Sequence, residues 1–446
     1  MNLEDILFGY DQKHSHGSAQ WANAAERRKV LRTRNKGVYI ANDLRLNVEM
    51  TNAHIGVIAP TRMGKTSRYL LNNCLRRWSD PMGMVIFDPS QEIRSKSQNW
   101  FISQGYSVFS FDMEQYQQSQ QINFLDGIHD KNTARLTAQA IIGATYKDSN
   151  DDAFWTEGSI ALVTLLFLAV VRVMNPENRT VAFVYQLVNK LGHSQDEVSA
   201  LIENALDDAD FDEYMAFLAN SEKVRLSILA TVHSALYAFS DPVLKHIGAQ
   251  TTFDFLALRE RKTILYLHTR EDKIPFFSAF FSVFFQQLFE ALMVGTGNQV
   301  FLMLDEFASY HIMDFHRIIS VIAKRRVSIS VILQSIQQLQ VAYGKEKAQI
   351  ILDNLIKLFC QDCPPHSAEI VSRSLGTTTE LYSQTQTNFF DTTAPKHRIS
   401  RHLLTPDEVR TLNKDYCLFL CSRYRPMKLK MKPYFKNKTL VKRSKL

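Results

Sequence analysis

"VIAPTRMGKTSRYLL", Val57 to Leu71, ends an apolar run with a short loop and then a Gly-Lys-Thr. A small residue, four residues and Gly-Lys-[Ser/Thr] form the phosphate-binding pattern, with Ala59 here in place of the usual first Gly. The spacing has a physical reason. A strand delivers the chain into a turn whose backbone N–H groups face inward, and the following helix adds its positive N-terminal end. Ala59, Pro60, Thr61, Arg62, Met63, Gly64, Lys65 and Thr66 would cradle an anion. Gly64 lets the backbone approach phosphate, Lys65 reaches the outer phosphates, and the Thr66 hydroxyl ligates Mg²⁺. The competing reading is an accidental Gly-Lys-Thr at a helix start.

At 446 residues, with 45% hydrophobic and 22% charged residues, the chain has room for two or three domains with large cores. The start, "MNLEDILFGYDQKHSHGS", has no basic segment followed by an apolar run, so cytoplasmic residence is the default. The longest apolar run, Ile160 to Val171, would span about 18 Å as a helix, short of a hydrocarbon core of about 30 Å. It reads as a buried helix. A second apolar stretch puts Phe276, Phe277, Phe280, Phe281, Phe284, Phe285 and Leu288 on one side. Ser278, Ser282, Gln286 and Glu290 fall on the other, without the Lys or Arg that a membrane-surface helix wants. That stretch also reads as core.

Five cysteines without a secretion signal suggest reduced thiols. The pairs Cys360/Cys363 and Cys417/Cys421 could make a four-thiolate zinc site, but each lies on or beside a strand-like run and lacks the usual spacing, so buried or incidental thiols are favoured. The net charge of +7 is unevenly placed: residues 428–446 carry eight Lys/Arg and no acid, and residues 27–36 carry six more. A mildly acidic body therefore has two basic ends. Such clusters suit nucleic acid or an anionic membrane, while a solvated, disordered tail is the alternative for the last dozen residues.

Strand-like runs recur as "HIGVIAP", "GMVIFDP", "YSVFSFD", "TILYLHT", "QVFLMLDE", "SISVILQ" and "LIKLFCQ". They are near-continuous apolar runs with helical patterns between several of them, as in a parallel sheet buried on both faces. From about 131 to about 255 only helix-like patterns occur. The expected fold is therefore α/β, a RecA-like P-loop nucleotide-binding domain with an inserted all-α domain. The expected divisions are a basic segment at 1–37, the nucleotide-binding domain at 38–130 and 256–427, the all-α domain at 131–255, and a basic tail at 428–446. The Thr-rich stretch 377–398 reads as a mobile surface loop.

A loop that holds a nucleoside triphosphate needs a second strand ending in carboxylates, and "QVFLMLDEF" supplies one. Asp305 would hold Mg²⁺ through water, and Glu306 would orient and deprotonate the attacking water. Capping of the next helix is the alternative. "SISVILQS" ends at Gln334, whose amide could touch the γ-phosphate, or simply face solvent from a turn. Between these strands Arg325 and Arg326 are candidates for an arginine finger acting across a subunit boundary, or ordinary exposed helix arginines.

These segments resemble the coupling proteins of type IV secretion and bacterial conjugation over nearly the whole length. "HGSAQWA" (16–22), "HIGVIAPTRMGKT", "VIFDPSQE", "DAFW", "FLMLDEFA", "ILQSIQQLQVAYG", "SRSLG", "LLTPDEVRTL" and "RYRPMKLKMKPYF" match in order. The resemblance implies that Lys65, Thr66, Asp305, Glu306 and Gln334 take the roles above, with ATP and Mg²⁺ as cofactors. It also implies a homo-hexameric, DNA-stimulated ATPase at the inner face of the cell membrane. Its partners would be a relaxase on single-stranded DNA and the ATPases and membrane components of the secretion channel. The helical insertion resembles the substrate-recognition domain. Ser90-Gln91 stand where the family commonly has Lys-Gly. Most relatives begin with membrane-spanning helices, whereas about fifteen residues precede the His-Gly segment here. Docking would then come from a separate membrane-anchoring protein or from direct binding to the channel, unless a longer natural chain has been truncated. Two other functions fit the same residues: a docking receptor with little or no turnover, and a duplex-DNA pump.

Overall fold

The computed structural model describes residues 17–41, 43–47, 50, 52–78, 80–146, 153–360, 364–383 and 396–446. In chain order its strands are β1 (Leu31–Arg32), β2 (Tyr39–Ala41), β3 (Leu44–Leu46), β4 (His54–Ile58), β5 (Met82–Phe87), β6 (Ser107–Asp112) and β7 (Thr263–His268). They continue with β8 (Gln299–Leu304), β9 (Val327–Leu333), β10 (Leu355–Cys360), β11 (Thr377–Ser383), β12 (Lys396–His402), β13 (Tyr416–Cys421) and β14 (Tyr424–Lys430). The chain forms two compact units, residues 1–79 with 330–445, and residues 80–329 with 446.

In the first unit β4 lies between β10 and the end of β9, parallel to both, with Ile55 opposite Ser330 and Ile356. All five residues of β4 are buried, which is why "HIGVI" carries no polar alternation. β13 continues the sheet antiparallel to β10, and β14 pairs antiparallel with β13. Outside this sheet β3 pairs with β1 and β2, and β11 forms a two-stranded ribbon with β12. The His-Gly-Ser-Ala segment joins that ribbon: the Ala19 N–H donates to the Thr377 carbonyl at 2.9 Å, and the Thr379 hydroxyl donates to the Gly17 carbonyl at 3.1 Å. At φ +150° Gly17 approaches so closely that a Cβ would lie 2.4 Å from the Thr377 oxygen. Only glycine fits there. His16 lies outside the described residues.

In the second unit β5 is flanked by β8 and β7, with β6 beyond β7, all parallel. The helix Ser278–Val294 buries phenylalanines against them; Phe87 meets Phe281 edge-on and Tyr310 stacks on Phe285. Each such ring removed from water contributes on the order of 1.5–3 kcal/mol. Part of the polar side of this helix is buried too: Ser282 is inaccessible, and the buried Gln286 donates to the exposed Glu290 at 2.8 Å.

From residue 131 to 255 the described residues form helices, turns and connecting segments. Their starts are capped by side chains, as at Asp130, Thr180, Asp207 and Asp241. The Lys131 ammonium binds Asp210 and Glu213 at 2.7 and 2.6 Å and ties two of the helices together. Trp155–Val173 is the one described helix long and apolar enough to cross a membrane, and 61% of its most apolar window is buried in the protein. Its apolar character serves a helix with neighbours on several sides.

Two expectations are corrected. The last residues are not a solvated tail: Tyr434–Lys436 form a 3₁₀ turn and Lys438–Arg443 a helix, with Leu440 buried. The 377–398 stretch is not simply a loop, since Thr377–Ser383 and Lys396–His402 pair as strands, and only 384–395 between them lie outside the described residues.

Candidate functional site

The phosphate-type loop leaves β4 at Ala59, whose N–H donates to the Leu333 carbonyl at 3.0 Å. This bond sets the end of β4 beside the end of β9, and Gln334 is the next residue. The loop takes left-handed backbone at Arg62 (φ 64°) and Gly64 (φ 83°), and not at Ala59. That explains the departure at its first position, because Ala59 needs no glycine conformation. Gly64 does: a Cβ there would lie 2.9 Å from Nε of Arg68. Lys65 is buried and its ammonium donates to the Ala59 carbonyl at 3.1 Å, so the cation folds over its own loop. Thr66 opens a π-helical turn, Thr66–Leu70, that runs into the α-helical turn Leu71–Cys74.

Arg68 is a residue that sequence reasoning missed. Its side chain lies over Gly64, its guanidinium donates to the Met431 carbonyl at 2.5 Å, and it lies 3.7 Å from Asp415. Asn72 donates to the Lys432 carbonyl at 3.2 Å, and Arg443 donates to the Leu75 carbonyl at 2.8 Å. Residues 431–443 thus run as a strap along the helix that follows the loop. On another side of that helix Asn73 exchanges two bonds with the Tyr39 backbone, at 2.9 and 3.0 Å. Cys360 and Cys417 are register partners in β10 and β13. Burial pushes the Cys360 thiol up to about 11, and burial and Cys360 raise that of Cys417. Cys363 lies outside the described residues, among which no group of three or more His, Cys, Asp or Glu is placed to hold a metal.

In the second unit Asp305 and Glu306 follow β8 directly. Asp305 is buried; the Glu306 N–H donates to its Oδ1 at 3.1 Å, and Glu306 takes left-handed backbone (φ 47°) and is half-buried. Two other parallel strands of this unit, β5 beside β8 and β6 at the edge, lead into carboxylates as well. Asp88 after β5 accepts from the Arg94 N–H at 2.8 Å and from the Ser90 hydroxyl at 3.1 Å, and burial raises its pKa despite these bonds. Asp112, at the end of β6, accepts from the Arg94 guanidinium at 2.8 Å. The signal for this pair was present: "VIFDP" and "FSFDM" both end a strand in Phe-Asp. Gln91 is left-handed at φ 58°, the backbone that glycine adopts without strain.

Arg325 and Arg326 are both exposed and precede β9. Arg326 donates to the Gly297 carbonyl at 3.0 Å from left-handed backbone.

A model of the family described as "Type IV secretory system Conjugative DNA transfer" matches residues 11–445. Protein VirD4 of Rhizobium radiobacter is 24% identical over 459 residues, covering 96% of this chain and 65% of the relative. The chain thus spans about two thirds of that relative's length. Among solved structures, the unbound bacterial conjugative coupling protein TrwBdeltaN70 superposes with a TM-score of 0.72 at 17% identity, covering 93% of this chain and 92% of that one. The plasmid coupling protein TrwB in complex with ADP and Mg²⁺ gives 0.71 at 17% identity, covering 95% and 94%. Both carry the fold: a RecA-like nucleotide-binding core with an all-helical insertion.

Proposed function

The chain belongs to the type IV secretory system conjugative DNA transfer family, the coupling proteins, and from that premise we propose that it hydrolyses ATP to deliver a relaxase bound to single-stranded DNA to a type IV secretion channel. The observation that carries this reading is the loop at Ala59–Thr66, with its buried lysine, glycine cradle and helix start at the end of a parallel strand. The domain division read from the sequence, with the helical segment 131–255 as substrate-recognition domain, is part of the same proposal.

Each residue has a role that its surroundings suit. The Lys65 ammonium, now on a neutral carbonyl, would exchange that acceptor for the more strongly attracting phosphate oxygens of ATP. The Thr66 hydroxyl and the Asp305 carboxylate are hard oxygen donors of the kind Mg²⁺ takes. Bound Mg²⁺ would neutralise charge on the outer phosphates. Glu306 would hold and deprotonate the attacking water, and Gln334, beside the loop, would contact the γ-phosphate. Arg325 is the better candidate for a finger, because Arg326 is spent on the Gly297 carbonyl. Its exposure leaves it accessible to a neighbouring subunit of a hexamer. DNA would stimulate turnover by assembling that ring at the inner face of the membrane.

The test is ATP hydrolysis by the purified protein with Lys65→Ala alongside. DNA-stimulated turnover that disappears in the variant supports the reading. Turnover that survives Lys65→Ala places hydrolysis elsewhere.

A further inference from the structure

The two basic ends of the sequence fold onto one unit and meet there. Lys36 and Arg45 belong to the N-terminal side: the Arg45 guanidinium donates to the Lys36 carbonyl at 3.3 Å and lies 4.4 Å over the Tyr39 ring. Arg76 stacks on the same ring at 4.6 Å, and Arg45 also stacks on Trp78 at 4.9 Å. The C-terminal side reaches this stack through Arg443, which bonds the Leu75 carbonyl and whose guanidinium pKa is lowered by burial and by the nearby charges of Arg77 and Arg76. Of the acids near this stack, Asp43 pairs with Arg76. Arg45, Arg76, Arg77 and Arg443 thus gather at one place in this unit.

The position of this crowd matters. The helix 66–75 runs back from the loop, so Arg76 and Arg77 lie at its far end, away from Lys65. From Met431 the strap follows the same direction and carries Lys438, Lys442 and Lys445 to the surface, beside Lys436, which lies 3.8 Å from Asp415. Among them Phe435 is 58% exposed, next to the buried Tyr434. Exposed cations around a protruding aromatic ring, on turns and a helix end, form the pattern that anionic bilayer surfaces attract: charges at the headgroups and a ring at the interface. A nucleic-acid strand would instead favour a groove with rings stacked along it.

The geometry points to this face, Lys438, Lys442, Lys445 and Arg77 with Phe435, as a docking surface for anionic phospholipid. It would press the first unit against the membrane by the end of the helix opposite its phosphate-type loop. This inference goes beyond the ATPase reading and stands whether or not the chain hydrolyses ATP.

The experiment is flotation of the full chain with vesicles of phosphatidylcholine alone or with a third phosphatidylglycerol, without nucleotide or DNA. Binding to the anionic vesicles should exceed the other at least ~10-fold and fall steeply as salt rises. K438E/K442E/K445E should lose that excess, and the neutral K438Q/K442Q/K445Q should lose part of it, each with an unchanged melting temperature. F435S should weaken anionic binding severalfold while keeping its salt dependence. Equal binding to both vesicle types overturns the proposal. So does a triple variant that floats like wild type but binds single-stranded DNA less well, which would make the face a nucleic-acid site.

Discussion

The ammonium of Lys65 donates to the carbonyl of Ala59 at 3.1 Å, closing the loop on itself through its first and seventh residues. The bond is one neutral-acceptor contact, worth on the order of 1–3 kcal/mol when buried. Lys65→Ala should therefore leave a folded protein with a slightly lower melting temperature. Its affinity for an ATP analogue should fall at least ~10-fold, since a charged hydrogen bond to phosphate is lost. Isothermal titration beside a thermal melt checks both; unchanged affinity would remove Lys65 from the site.

Arg68 couples the loop to the C-terminal strap. Arg68→Ala would leave the Met431 carbonyl without this donor and open space above Gly64. A loss of about 1–3 kcal/mol in urea unfolding is expected, together with weaker nucleotide binding, because the strap steadies the helix that starts at Thr66. Arg68→Lys should recover little, as an ammonium lacks the fork that reaches Met431 and Asp415. Full recovery with Lys would show that charge alone matters.

Arg325 can be tested across subunits. Arg325→Ala and Lys65→Ala should each abolish turnover. Mixed in equal amounts under conditions that assemble rings, they should recover a measurable fraction, because intact Lys65 loops in one subunit meet intact Arg325 from another. Zero recovery, with nucleotide binding by Arg325→Ala also lost, would place Arg325 in folding instead.

Asp88 gives a pH signature. Burial raises its carboxyl pKa, which the bonds from Arg94 and Ser90 only partly offset. An acid with a higher pKa in the folded state holds its proton more tightly there. Its stabilising contribution is complete below the unfolded pKa of about 4 and is lost as pH rises through the folded value. Asp88→Asn, which can keep one acceptor for the Arg94 N–H, should flatten this loss, so that urea midpoints of wild type and variant diverge from about pH 4 upward. Parallel pH profiles would show that the site does not titrate in that range.

The parallel strands were legible because burial on both faces writes them as unbroken apolar runs such as "MVIF" and "ILYL". The loop was legible because its chemistry needs fixed residues at fixed spacing. What escaped detection has no such signature. β14 reads "YRPMKLK", an edge strand with three exposed cations and a proline inside, and β11 opens on three threonines. The strap is held to the helix through the carbonyls of Leu75, Met431 and Lys432, and a carbonyl is the same in every residue. The convergence of the two basic ends is a property of tertiary structure alone.

The central claim is that this chain converts ATP hydrolysis into DNA delivery, with Glu306 activating the water. The most direct measurement is ATP turnover with and without single-stranded DNA, for wild type and Glu306→Gln, with nucleotide affinity measured for both. Wild-type turnover should rise with DNA and fall at least ~100-fold in Glu306→Gln, with nucleotide affinity unchanged. Turnover that persists in Glu306→Gln, or that is absent from wild type at every DNA and protein concentration, would contradict it.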